Sequence, residues 1–317
     1  MAPARLPTPL PQCLCLLLAV GFAQAGRLLV VPKDGSHWLT MGTVVEKLIQ
    51  RGHEVVVVMP EVSWQLGQSL DLTVKTYSDS YTMEEFDQSL KIFTDGRWEN
   101  KEENLFHTII ATKKGFDMWF SRCRRLFNNK TLVEYLKESH FDAVFLDPFD
   151  ICGLTIAKYF SLPSVILTRG LYCQHIEEGT QGPAPLSYVP RFLSGFSDAM
   201  TFKERVQNHI ACFMEYLICP YFLSKALEIA SEVLQTPVTA SDLFSHTSIW
   251  LLRTDFVLDY PRPVMPNVVF VGGINCHQGK ALSQHKEGSP TGAPDKIPPP
   301  DLLIVAGFGP TLQRQRW

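Results

Sequence analysis

Leu28-Leu29-Val30-Val31-Pro32-Lys33-Asp34-Gly35-Ser36-His37-Trp38 runs from apolar residues through a polar turn into a helical pattern, and its reading decides the fold. A first strand, a turn and a first helix in that order point to an open parallel α/β sheet. Turns of this kind lie at the carboxyl ends of the strands, where ligands bind. A histidine there is placed for chemistry, so His37 is the first candidate site residue. Taken alone it also reads as an ordinary loop histidine, since a motif draws its meaning from structural context.

Working outward, Met41, Val44, Val45 and Leu48 recur at helical spacing, and Gly52 stands where a left-handed helix stop is wanted. Val55-Val56-Val57-Val58-Met59 is continuously apolar and β-branched, as a parallel strand buried on both faces requires. Leu72 to Tyr77 alternates and reads as a third strand nearer an edge. From Met83 to Lys137 the pattern is helical and irregular, with Phe86, Phe93, Trp98, Phe106, Phe116, Trp119 and Phe120 spread through it. These rings read as core filling; the functional alternative is a pocket for a flat apolar molecule.

Ala143 to Leu146 is a short buried strand that Asp147-Pro148 ends, which puts Asp147 on the same rim as His37. Asp142 belongs to the opposite rim, and Asp150 is positioned to cap a helix. Asp147 is either a solvated strand-end carboxylate or a group that orients a histidine and stabilises its imidazolium. The second is the logic of a hydrolase triad with a substrate hydroxyl in place of the serine. Ser164 to Thr168 follows as a strand. Pro183 to Leu234 reads as mostly helical, with apolar faces that pack on the sheet or touch a membrane surface. Ser248 to Leu252 and Val268 to Val271 read as the last two strands.

A chain of 317 residues, 45% of them hydrophobic and 19% charged, can bury a sizeable core. A net charge of −3 with dispersed Lys and Arg leaves no electrostatic footprint for nucleic acid. Arg122, Arg124 and Arg125 read as a solvated face. Residues 1–25 read as a secretory signal: Arg5 is the only charge before the apolar run from Cys13 to Phe22, and Ala23-Gln24-Ala25 has the form of a cleavage site. Cys123, Cys152, Cys173, Cys212, Cys219 and Cys276 then remain; their even count permits disulfides in an oxidising compartment, but the scattered spacings match no small disulfide scaffold or zinc site and favour buried free thiols. Asn129-Lys130-Thr131 is a glycosylation sequon that only a lumenal chain could use. No later segment has the ~18 or more consecutive apolar residues of a membrane span.

Gly35-Ser36-His37-Trp38, Arg51-Gly52-His53-Glu54-Val55, the run Phe141 to Phe149, Tyr159 to Pro163 and Gly272-Gly273-Ile274-Asn275-Cys276 together resemble the amino-terminal half of a vertebrate UDP-glucuronosyltransferase of family 1. The resemblance runs to about Lys280. It implies a Rossmann-like, doubly wound parallel sheet, the amino-terminal half of a GT-B glycosyltransferase, over residues 26–280. It further implies that His37 is a general base and Asp147 its partner. Together they would transfer glucuronic acid from UDP-glucuronic acid, a co-substrate, to a small lipophilic acceptor with inversion and without cofactor or metal. The endoplasmic reticulum lumen, membrane association and oligomers with full-length relatives belong to the same expectation. Residues 281–317 read as a flexible tail outside the family pattern, in which Leu302 to Gly309 resembles a strand entering a phosphate turn. The donor site is therefore expected elsewhere than in this chain, and a non-catalytic acceptor-binding or regulatory subunit is the competing reading.

Overall fold

Continuous β-branched runs separated by amphipathic helices build one seven-stranded, wholly parallel sheet, with strand order β3-β2-β1-β4-β5-β6-β7. The strands are β1 (Arg27–Val31), β2 (Glu54–Pro60), β3 (Thr73–Tyr77), β4 (Ala143–Leu146), β5 (Ser164–Thr168), β6 (Thr247–Leu252) and β7 (Val268–Phe270). The helices are α1 (Ser36–Gln50), α2 (Met83–Trp98), α3 (Leu105–Asn128), α4 (Lys130–Glu138), α5 (Ile151–Tyr159), α6 (Gln174–Thr180), α7 (Phe202–Leu234) and α8 (Ala240–Phe244). The computed structural model describes residues 25–63, 72–79, 81–98, 105–191, 194–254 and 259–276. Of the signal reading for residues 1–25 only Ala25 is among them, and the tail reading for 281–317 lies outside them.

The period-2 alternation of strand side chains sorts the core into two layers. Leu29, Val31, Val56, Val58, Val144 and Leu146 face one layer, which α3, α4, α5, α7 and α8 cover. Val30, Val55, Val57, Met59 and Phe145 face the other, against Trp38, Met41 and Val45 of α1. With helices on both faces the sheet is doubly wound, as expected. β3 lies at the edge, and Gly52 adopts φ 91°, the left-handed stop after α1.

The chain winds outward from β1 through β2 to β3 and then returns to lay β4 on the other side of β1, with Val31 opposite Leu146. The strand order therefore reverses between β1 and β4, which creates the crevice where open α/β sheets bind ligands.

Two expectations are corrected. Cys123 and Cys152 are not free thiols but a disulfide that ties α3 to α5; scattered sequence spacing says nothing about which helices pack together. Arg122 is not on a solvated face: it is 6% exposed and its Nε lies 3.0 Å from Asp79 Oδ1. Pro183 to Leu234 is mostly helical, as expected: Pro183, Pro185 and Pro190 keep its first described residues irregular, and one helix then runs from the capping box of Thr201 and Glu204 to Leu234. The helix that does form, α7, is by length and composition apolar enough to cross a membrane. Polar residues interrupt its apolar run, so it contains no unbroken apolar stretch of that length.

Candidate active site

The site grows from the turn after β1. Gly35, at φ 76° and ψ −140°, occupies backbone space that side chains with a Cβ avoid. That bend starts α1 one residue later and aims His37, in its first turn, across the carboxyl end of the sheet. Asp147 follows β4 directly. Because β1 and β4 are neighbours, His37 Nδ1 and Asp147 Oδ2 meet at 2.6 Å.

Asp147 is 3% exposed, and both of its oxygens are engaged: Oδ2 with His37 and Oδ1 as acceptor of the Phe149 backbone N–H at 2.9 Å. A buried carboxylate so held directs the Nδ1–H of a neutral imidazole toward itself, the tautomer being inferred from the bond. Nε2 is then the nitrogen left for a substrate, and among the described residues no hydrogen bond meets it. The Phe149 ring stands edge-on to the imidazole with centroids 5.1 Å apart, and the Tyr172 ring lies 5.4 Å beyond. An imidazole, a buried carboxylate and two aromatic rings thus meet at the carboxyl end of the sheet.

Charged groups surround the dyad. Lys33, in the same turn, has a pKa lowered to about 8, chiefly by burial, with Asp150 pulling the other way. Its ammonium sits over the Trp119 ring at 4.3 Å. Burial raises the Asp150 pKa against the opposing charge of Lys33. Asp150 also caps α5, accepting from Cys152 N at 3.0 Å, as its sequence position predicts. Arg169 donates to Ser36 Oγ at 2.9 Å, fastening the β5 rim to the start of α1.

Lys33 and Arg169 are the groups that motif reading missed. Arg169 directly follows β5, the same strand-end position that marks Asp147 after β4. Nothing local distinguishes Lys33, whose burial needs Trp119 and Asp150 from distant segments. Asp142 lies at the amino-terminal end of the sheet, accepting from Arg27 N at 2.7 Å, away from the dyad. Asn129 is the N-cap of α4, its Oδ1 accepting from Leu132 N at 3.1 Å. Among the described residues, Cys173, His175 and Cys219 form the one group of three side chains able to hold a metal ion.

A family model described as UDP-glucoronosyl and UDP-glucosyl transferase matches residues 26–291. The chain belongs to this family. Human (Homo sapiens) UDP-glucuronosyltransferase 1A10 is 66% identical over 288 residues, covering 90% of this chain and 54% of the relative. Human UDP-glucuronosyltransferase 1A8 is 68% identical over 281 residues, 88% of this chain and 53% of the relative. UDP-glucuronosyltransferase 1A7 of Mus musculus is 61% identical over 289 residues, 90% of this chain and 54% of the relative. The chain spans about half the length of the curated relatives it matches. Among solved structures, the spinosyn forosaminyltransferase SpnP aligns with TM-score 0.44 at 12% identity, over 84% of this chain and 56% of that chain.

Proposed function

We propose that this chain is the acceptor-binding half of a UDP-glucuronosyltransferase of the GT-B type, with His37 as general base and Asp147 as its orienting carboxylate. The observation that carries the reading is the 2.6 Å contact between His37 Nδ1 and Asp147 Oδ2 at the strand-order reversal. His37 Nε2 takes the proton of an acceptor hydroxyl as the oxygen bonds to the anomeric carbon of UDP-glucuronic acid. The carbon–oxygen bond to UDP breaks on the opposite face, UDP leaves with the electron pair, and the configuration inverts. Asp147 balances the imidazolium that forms. Positioned proton transfer of this kind contributes typically ~10²–10⁴ in rate.

The rings of Phe149 and Tyr172 beside the imidazole favour a lipophilic, phenol-like acceptor. The signal pattern, the sequon and the Cys123–Cys152 disulfide support a place in the endoplasmic reticulum lumen as part of this proposal, since disulfides persist in oxidising compartments. One stripe of α7, with Phe202, Ile210, Phe213 and Leu217 each more than half exposed, supports contact with the membrane surface. Oligomers with longer relatives are part of the same proposal.

A chimera carrying a relative's donor-binding half after Lys280 tests the reading. It should transfer glucuronic acid to phenols, and His37→Ala should remove most of that transfer while phenol binding persists. An active His37→Ala chimera would show that the base is another group. The second reading is an acceptor-binding subunit without chemistry of its own. It predicts that the unmodified chain binds phenols and transfers nothing.

A further inference from the structure

Cys173 is the residue before α6, in extended backbone at φ −131° and ψ 153°, and Cys219 sits on α7 beside Pro220. Their Sγ atoms lie 2.8 Å apart. That is well inside the about 3.5–4.0 Å at which non-bonded heavy atoms settle, so the two sulfurs are disposed to be joined or bridged. His175, 8% exposed, adds a ring nitrogen, and the three ligand atoms fall within 4.8 Å of one another.

A zinc ion is the first possibility to weigh. Bound at about 2.3 Å to two thiolates in a tetrahedron, it would hold the sulfurs ~3.7 Å apart, and closed structural sites use four ligands. Here the sulfurs are closer than that, and three groups converge among the described residues. A disulfide at about 2.05 Å requires the sulfurs to draw together by only roughly 0.8 Å. We propose that Cys173 and Cys219 close a second disulfide, alongside Cys123–Cys152.

The oxidant is an external disulfide, either glutathione disulfide or the disulfide of an oxidised protein. The exchange starts from the Cys219 thiolate, whose sulfur already lies 2.8 Å from its partner. Cys219 Sγ bonds to one donor sulfur, the donor S–S bond breaks, and one donor thiolate leaves. Cys173 then loses its proton and attacks Cys219 Sγ of the mixed disulfide, releasing the second donor thiolate. Two protein thiols are oxidised, and one donor disulfide is reduced to two thiols.

The cross-link has a structural consequence for the site. Tyr172 directly precedes Cys173 and packs on Phe149, which packs on His37. Joining Cys173 to Cys219 anchors the segment that carries this aromatic wall to α7, 46 residues along the chain.

Mapping on the full chain recovered from the secretory pathway tests the proposal. The protein is alkylated in denaturant without reduction, digested and analysed by mass spectrometry. A Cys173–Cys219 cross-linked peptide that reduction removes is expected. Alkylation of both residues without reduction, a cross-link from either to Cys212, or one zinc released per chain on acidification overturns it. The anchoring role is read by hydrogen exchange at residues 170–174 in Cys173→Ala/Cys219→Ala, which should quicken several-fold while β1 and β4 keep their protection. Unchanged exchange there overturns that role, and the wild-type mapping decides the bond even if the variant fails to fold.

Discussion

His37 Nδ1 lies 2.6 Å from Asp147 Oδ2 although 110 positions of chain separate the two residues. The contact exists because β4 returns to the flank of β1, and the turn after each strand supplies one partner. The imidazole is tethered by its inner nitrogen, which directs the outer one to the crevice.

Asp147→Asn should therefore be far more damaging than Asp150→Asn in an active chimera. Asparagine at 147 keeps the shape but loses the charge that balances the imidazolium, and transfer should fall by ~10²–10⁴. Asparagine at 150 still caps α5, so transfer should stay within a few-fold. Steady-state kinetics of the two variants with one phenol decide the ranking, and equal losses would move Asp150 into the chemistry.

Gly35→Ala tests the turn that aims the histidine. A Cβ at φ 76° and ψ −140° is strained by ~1–3 kcal/mol. Urea unfolding should show a loss of that order. Transfer in the chimera should fall further than stability alone explains, because α1 must start at a different angle.

Lys33 makes stability depend on alkaline pH. Its folded pKa, about 8, is below the ordinary 10.5, so between those values the unfolded chain binds the extra proton. Stability contributed through this group consequently rises with pH from about 8 to 10.5, and below that window the buried ammonium opposes folding. The stability of the unmodified chain relative to Lys33→Met should increase when urea midpoints are compared at successive pH values across that window. A flat difference would mean that Lys33 is solvated.

Asn129 separates two roles at one residue. Its Oδ1 caps α4, while its Nδ2 is the atom a glycan would take. Asn129→Asp and Asn129→Gln should both abolish a glycosidase-sensitive mobility shift. Only the glutamine variant should also lose the cap, lowering stability by ~0.5–2 kcal/mol. Equal melting temperatures for the two variants would argue against the cap.

The strands, the first helix and its stop were legible in the sequence, because β-branched runs, helical spacing and a glycine at φ 91° are local signals. The turn holding His37 and the strand end holding Asp147 could be put on one rim for the same reason: all strands of a parallel sheet share a direction. Local signals do not say which strand lies next to β1. The pairing of β1 with β4, which turns two rim residues into a 2.6 Å dyad, is a property of the winding of the chain. Arg122 reads as a surface charge beside Arg124 and Arg125, yet it is buried against Asp79, and Cys123 finds Cys152 only because α3 packs on α5. Burial and partnership depend on what the rest of the chain brings to a residue, and a single position in the sequence does not carry that information.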